Sequence, residues 1–209
     1  MLLFGTNASG KSSLMKAVGL NIVMAQAGMF VAAEEFTFSP YHYLFTRINN
    51  NDNIFKGESS FAVEMSELRN ILKRTDTSSL ILGDELCSGT ESISALSIFA
   101  ASVDFLNKKR SSFIFATHLH ELCKMKLITD LKDSVKMFHL KVIYNKEKDT
   151  LVYNRKLTEG SGEAIYGLEV CKAMDMDQHF LNTANTIRRE LLEVKEKLLE
   201  TRQSKYNSQ

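Results

Sequence analysis

Apolar and polar positions follow two rhythms along this chain of 209 residues. Met1-Leu2-Leu3-Phe4 is a short apolar run of the kind that forms a fully buried strand. From Lys11 to Met29 nearly every residue is apolar or small, with Leu14, Val18, Ile22 and Ala25 on one stripe and Met15, Gly19 and Met24 elsewhere. A helix apolar on most sides is expected to be buried on most sides, and Gly28 is placed to end it. Phe36-Thr37-Phe38 and Tyr43-Leu44-Phe45-Thr46-Arg47-Ile48 alternate as strands do, with the only proline, Pro40, between them. Asn49-Asn50-Asn51-Asp52-Asn53 then reads as a polar surface excursion.

Phe61, Met65, Leu68 and Leu72 recur at helical spacing, with Glu64, Glu67, Arg69 and Lys73 elsewhere on the same helix. Ser79-Leu80-Ile81-Leu82-Gly83-Asp84-Glu85 is an apolar strand ending in two acids, and Ser88-Gly89-Thr90 breaks the chain after it. Ile93, Leu96, Phe99, Val103 and Leu106 stripe a further helix that closes on Lys108-Lys109-Arg110. Ser112-Phe113-Ile114-Phe115-Ala116-Thr117 is the next strand, with His118 just beyond it and His120 as a helix-start residue. Phe138, Leu140, Val142 and Tyr144 alternate with His139, Lys141 and Ile143, and Leu151-Val152-Tyr153 follows a charged turn, which predicts a hairpin. Tyr166 to Met174 reads as a short helix, and Asp175-x-x-Gln178 as the box opening the last one. Ile187, Leu191, Val194 and Leu198 form a seam on that helix, flanked by charge, and the polar stretch Gln203 to Gln209 is expected to fray. Strands alternating with helices predict an α/β class with a mostly parallel sheet. The expected division is an α/β domain over 1–174, lacking its N-terminal part, and a helical segment with a polar tail over 175–209.

Charge and cysteine content narrow the classes. Lys and Arg number 26 against 25 Asp and Glu, a net +1, so the bulk charge of a nucleic-acid binder is absent and no DNA contact follows from it. The three cysteines, Cys87, Cys123 and Cys171, are odd in number and far apart, which indicates reduced thiols rather than a disulfide framework or zinc knuckle. The longest apolar stretch, Val18 to Ala33, is interrupted by Asn21, Gln26 and Gly28 and falls short of a membrane span. No signal peptide is visible, and an intracellular setting is expected.

Candidate chemistry centres on Gly5-Thr6-Asn7-Ala8-Ser9-Gly10-Lys11-Ser12, which fits G-x-x-x-x-G-K-[ST] between a predicted strand and a predicted helix. Glycines let backbone wrap a phosphate chain, and the N–H groups and dipole of the helix start favour an anion. In that role Gly5 to Ser13 cradle the phosphates of ATP, Lys11 reaches the β- and γ-phosphates, and Ser12 ligates Mg²⁺. Asp84 and Glu85 end the later strand as a Walker B pair. Asp84 is expected to hold the metal and Glu85 to orient or deprotonate the attacking water. His118 ends a neighbouring strand at the sheet edge where ligands collect, and is expected to touch the γ-phosphate. Gly57-Glu58-Ser59-Ser60, before the Phe61 helix, can serve either as a cap or as a phosphate contact. A chain opening directly on a phosphate-loop strand is expected to be a piece of a longer protein.

Beyond these motifs, Phe45-Thr46-Arg47-Ile48, Ser59-Ser60-Phe61-Ala62-Val63-Glu64-Met65, Gly83-Asp84-Glu85-Leu86-Cys87-Ser88-Gly89-Thr90, Phe115-Ala116-Thr117-His118-Leu119-His120-Glu121-Leu122 and Tyr166-Gly167-Leu168-Glu169-Val170 occur in an order that resembles the ATPase domain of the MutS mismatch-repair family. The resemblance runs from Leu3 to about Glu190. It implies a P-loop NTPase of the ABC-ATPase type with a C-terminal helical dimerisation segment. It also implies composite sites in a dimer, weak hydrolysis by the isolated domain, and coupling of ATP to clamp movement on mismatched or distorted duplex DNA held mainly by upstream domains. Asn7 matches the family's γ-phosphate asparagine, Ser59 the serine that completes the partner's site in trans, and Gly89-Thr90 the loop crossing the interface. The departures are Thr6 with Ala8-Ser9 in the loop, Cys87-Ser88 after the acidic pair, and Glu58 where many members carry Arg. Arg155 stands where the family has a histidine near the base, and Tyr153 or Arg155 is expected to take part of that role. The Leu-Cys-Ser-Gly-Thr-Glu variant and the Ser-Lys-Tyr-Asn ending resemble the divergent branch of giant viruses and octocoral mitochondria. An HNH nuclease commonly follows there, and this sequence carries no HNH motif. The rival readings are an SMC or transporter-type ABC ATPase, disfavoured by Lys73-Arg74-Thr75-Asp76-Thr77-Ser78 in place of L-S-G-G before the acidic strand, and a non-hydrolysing dimerisation module.

Overall fold

The computed structural model describes residues 1–6, 9–48, 60–87, 89–145, 150–162 and 167–206, with backbone only for 60 and 195–206. The chain divides into one unit of Met1–Val142 with Tyr153–Ala164 and a second of Ile143–Val152 with Ile165–Gln209. Strands β1 (Leu2–Phe4), β2 (Tyr43–Arg47), β3 (Ser79–Asp84), β4 (Ser112–Thr117), β5 (Met137–Asn145) and β6 (Thr150–Glu159) form a six-stranded sheet in the order β2-β3-β4-β1-β5-β6. All pairings from β2 through to β5 are parallel. β6 follows β5 too closely in sequence for a crossover, so those neighbours are an antiparallel hairpin. The expected mixed α/β class is what the chain adopts.

Strand alternation sorts the first unit's core into two faces. On one side Leu2, Phe4, Ile81, Phe113 and Phe115 meet Ile71 of α2 (Ser60–Arg74), Phe99, Val103 and Leu106 of α3 (Ser92–Lys108), Leu122 of a 3₁₀ turn (His120–Lys124) and Ile128 of α4 (Lys126–Asp130). Phe99 and Phe115 meet edge to face at 5.6 Å. On the other side Leu3, Ala116, Leu80 and Leu82 face Met15 and Ile22 of α1 (Lys11–Gln26). A Cβ at Gly19 would lie 2.8 Å from Leu82 Cδ1, so the small residue sets how closely α1 approaches the sheet.

Several patterns resolve differently from their sequence reading. α1 is buried along Lys11, Met15, Gly19 and Ile22 only, while Leu20 and Val23 are exposed, so it is a one-sided helix rather than an engulfed one. Phe36-Thr37-Phe38 is not a strand. That stretch belongs to a connection that Asn21 and Gln26 pin to α1, the first accepting from the Ala32 N–H at 2.9 Å and the second from the Tyr41 N–H at 2.6 Å. On α2 the buried line is Glu64, Leu68 and Ile71, leaving Phe61, Met65 and Leu72 only partly covered. Ile93 is exposed in the first turn of α3, and Glu91 caps that helix by accepting from the Ile93 and Ser94 N–H groups at 2.7 and 2.8 Å. The polar run 49–53 and Gly57-Glu58-Ser59 lie outside the described residues.

In the second unit α5 (Gly167–Ala173) packs on α6 (Gln178–Tyr206), where Leu181 is buried and the Arg188–Glu169 ion pair joins the helices at 3.3 Å. Asn185 Oδ1 accepts from Arg188 at 2.9 Å. α6 starts on Asp177, whose carboxylate accepts the Phe180 N–H at 3.0 Å, rather than on the Asp175 box. Asp175 instead takes a left-handed φ of 57°. The last helix continues through Gln203 to Tyr206, where fraying was expected, because no glycine or proline interrupts it. Ile187, Leu191 and Val194 of the predicted seam are exposed.

Candidate active site

The sheet register assembles the site before any side chain is considered. Phe4 pairs with Thr117, and Asp84 with Ala116, so β1, β3 and β4 end together. The residues that follow are Gly5, Glu85 and His118, at the C-terminal edge where open parallel sheets collect ligands. β4 lies between the strand carrying the glycine-rich loop and the strand carrying the acids.

Both fixed glycines of the loop use conformations that L side chains rarely adopt, with φ of 152° at Gly5 and 105° at Gly10. A Cβ on Gly5 would come within 2.8 Å of Ser9 Oγ, closing the turn. Among the described residues Gly10 opens α1 with no side-chain cap and no acid in the first turn, an arrangement that suits an anion. Lys11, 4% exposed, folds back into the loop and donates to the Gly5 and Thr6 carbonyls at 2.8 and 3.1 Å. Its Nζ stands 4.0 Å from Glu85 Oε1. Burial holds Lys11 below the usual lysine range, while Glu85 and Asp84 pull the other way.

Ser12 Oγ donates to Asp84 Oδ2, joining the helix start to the end of β3. Among the described residues the second Asp84 oxygen is buried with no partner, as are Thr6 Oγ1 and Ser9 Oγ. Buried polar atoms are ordinarily hydrogen-bonded, so these three, on one loop and its facing acid, fit a bound polar group. A hydroxyl and one carboxylate beside a glycine-rich loop also suit Mg²⁺, which keeps several waters and takes few protein ligands. Among the described residues no group of three His, Cys, Asp or Glu forms a preassembled metal cage.

Ser9, Lys11, Ser12, Asp84, Glu85 and Arg155 share the walls of a cleft of about 650 Å³, together with Gly10, Ser13, Leu14 and Leu140. Arg155 lines it from β6, with a left-handed φ of 57° within the strand. Tyr153, two residues earlier, is half-buried and does not line the cleft among the described residues; neither does His118, which is exposed on the turn after β4. Asn7, Ala8 and Ser59, all expected here, lie outside the described residues. Leu140 was not singled out by motif, although its inward place in the β5 alternation was readable. Its side chain sits over Gly10, 3.8 Å from where a Cβ would stand, and gives the cleft an apolar wall.

A mostly parallel α/β sheet whose edge joins a glycine-rich strand–loop–helix to a facing pair of acids defines the class of this domain. Residues 1–192 match the model of the family described as MutS domain V, and the chain belongs to that family. It is 43% identical to a DNA mismatch repair protein mutS homolog of Acanthamoeba polyphaga mimivirus over 194 residues, 91% of this chain and 17% of the relative. To the mitochondrial DNA mismatch repair protein mutS homolog of Sarcophyton glaucum it is 44% identical over 184 residues, 88% of this chain and 18% of the relative. To the DNA mismatch repair protein MutS of Finegoldia magna it is 36% identical over 191 residues, 91% of this chain and 22% of the relative. The viral and octocoral relatives accord with the branch expected from the Leu86-Cys87-Ser88 variant. The chain spans about a fifth of the length of these relatives.

Proposed function

We propose that this domain binds and hydrolyses Mg²⁺-ATP through a P-loop site of the ABC-ATPase type, within a MutS-like mismatch-repair protein. The observation that carries the reading is the joining of Lys11, Ser12, Asp84 and Glu85 around one cleft whose loop and acid hold unpartnered buried oxygens. In this reading Gly5 to Ser13, Asn7 included, wrap the phosphates. Lys11 leaves its loop carbonyls for the β- and γ-phosphate oxygens, a change of partner that the incoming negative charge favours. Ser12 and Asp84 hold Mg²⁺, which neutralises charge on the phosphate oxygens when bound. Glu85 aligns a water against the γ-phosphorus and takes its proton, and His118 contacts the γ-phosphate and helps to stabilise its charge. Tyr153 and Arg155 contribute to the nucleoside end, with Arg155 favoured by its place on the cleft wall.

The site is completed by a second copy supplying Ser59, with α6 in the dimerising segment, so the isolated domain hydrolyses slowly. ATP state then biases the grip of the full-length protein on mismatched or distorted duplex DNA. The domain division proposed is an ATPase part over 1–174 and a helical part over 175–209. Single-turnover hydrolysis with Glu85→Gln tests the chemistry. The expected result is a fall of about 10²–10⁴-fold with nucleotide binding retained; hydrolysis at the parent rate would leave only a nucleotide-dependent dimerisation module.

A further inference from the structure

The carboxyl group of Glu64 sits where a helix pattern would put a leucine. It shares the buried line of α2 with Leu68 and Ile71 and is 2% exposed. Packing alone gives no reason for a carboxylate there, because burying one without a partner is costly and an aliphatic side chain would contribute more apolar burial. Its partner is specific: Oε1 accepts the backbone N–H of Cys87 at 2.7 Å.

That N–H belongs to the turn carrying Glu85 away from β3. Glu85 has φ 49° and Cys87 φ 67°, left-handed conformations at two non-glycine residues with Leu86 between them. Such backbone persists only where its surroundings over-determine it. Three restraints are visible. The Glu85 N–H donates to Ala116 O at 3.0 Å, Leu86 and Cys87 are buried in the main core, and Glu64 holds Cys87 from α2. Together they aim Glu85 across the cleft toward Lys11, 4.0 Å away.

We propose that Glu64 is a positioning residue for Glu85, fixing from α2 the left-handed turn that presents the Glu85 carboxylate to the cleft. A hydrogen bond to a carboxylate is shorter and stronger than one to a neutral acceptor, which suits a group that must hold strained backbone. The kinetic half of the idea rests on the ATPase reading above; the structural half does not.

Cys87 supplies an internal reporter. Burial, reinforced by Glu64, pushes its thiol up to about 12, so an intact turn protects it from alkylation at neutral pH. The 209-residue chain is treated with iodoacetamide and the cysteine peptides are quantified by mass spectrometry. Glu64→Leu, which fills the space but offers no acceptor, is expected to raise Cys87 labelling about tenfold while Cys123 and Cys171 label as in the parent. Its single-turnover hydrolysis should fall about tenfold with ATP affinity within about threefold of the parent. Glu64→Gln, which keeps an acceptor oxygen, should recover both readouts to within about threefold. Parent-like Cys87 protection or parent-like hydrolysis in a folded Glu64→Leu chain overturns the proposal. Should that variant label at all three cysteines, as an unfolded chain would, Glu64→Asp decides, since its carboxylate stops one methylene short. Selective Cys87 labelling in Glu64→Asp supports the proposal and parent-like protection overturns it. If Glu85→Gln hydrolyses ATP like the parent, the ATPase reading fails, while the labelling still decides whether Glu64 holds the turn.

Discussion

His120 shows how the end of a strand can tie stability to acidity. Its ring lies 5.3 Å from that of Phe4, and burial lowers its proton affinity below the usual histidine value of 6.5. Glu121 raises the affinity while His118 and His139 lower it. Because the folded form holds its proton less tightly, the unfolded chain takes up protons first as pH drops through the histidine range. Stability is therefore full above pH 6.5, declines as pH falls toward the lowered folded value, and levels off beneath it. Urea midpoints at about pH 7.5 and about pH 5.5 check this: the gap between them should narrow in His120→Phe, and an unchanged gap would assign the acid sensitivity elsewhere. Lys11 presents the same logic inside the cleft, where burial disfavours its charge and Glu85 with Asp84 favour it. A phosphate arriving beside it would add to the favouring side, so ATP affinity should weaken as pH rises toward the lysine's depressed range, measurable by isothermal titration at increasing pH.

Elements were legible where a run was long and bounded, and illegible where tertiary partners decided. The extents of β3, β4 and α3 follow from apolar runs punctuated by polar residues, and the acids at the end of β3 were visible as such. Phe36-Thr37-Phe38 has strand alternation, yet alternation cannot know that Asn21 and Gln26 hold the neighbouring backbone. The α2 stripe was legible, since Leu68 is buried and Met65 and Leu72 pack against the core, but Glu64 was not, because a sequence pattern assigns a carboxylate to solvent unless its buried partner is known. Arg155 entered the candidate site through family resemblance, and Leu140 could enter only once β5 was seen beside β1. Asn7 and Ser59, the most specific expectations drawn from the family, lie outside the described residues. The α3 start gives a test at this scale. Glu91 accepts two N–H groups there, and the Ser94 side-chain hydrogen bond first, then those two backbone contacts, hold its carboxyl below the ordinary glutamate range. Glu91→Ala should lower Tm by roughly 2–4 °C, read by circular dichroism, whereas Glu91→Asp should keep most of the cap.

At the scale of the whole molecule, the exposed row of Ile187, Leu191 and Val194 on α6 is the surface that the proposed dimer would cover. Sedimentation velocity with and without ATP is expected to show a dimer that Leu191→Glu converts to monomer; a monomer under all conditions would remove the composite site. No helix among the described residues is long and apolar enough to cross a membrane. The sheet order has a metrical consequence. With β4 interposed, the loop strand and the acid strand are separated by two interstrand spacings, about 9.5 Å. β4 thus acts as a gauge block, setting the spacing between the strand that leads into the loop and the strand that ends in the acids. Changes to Phe113 or Phe115 that rotate or bow this strand would retune the opening from below, so the aperture of the site is written in residues that have no chemistry of their own.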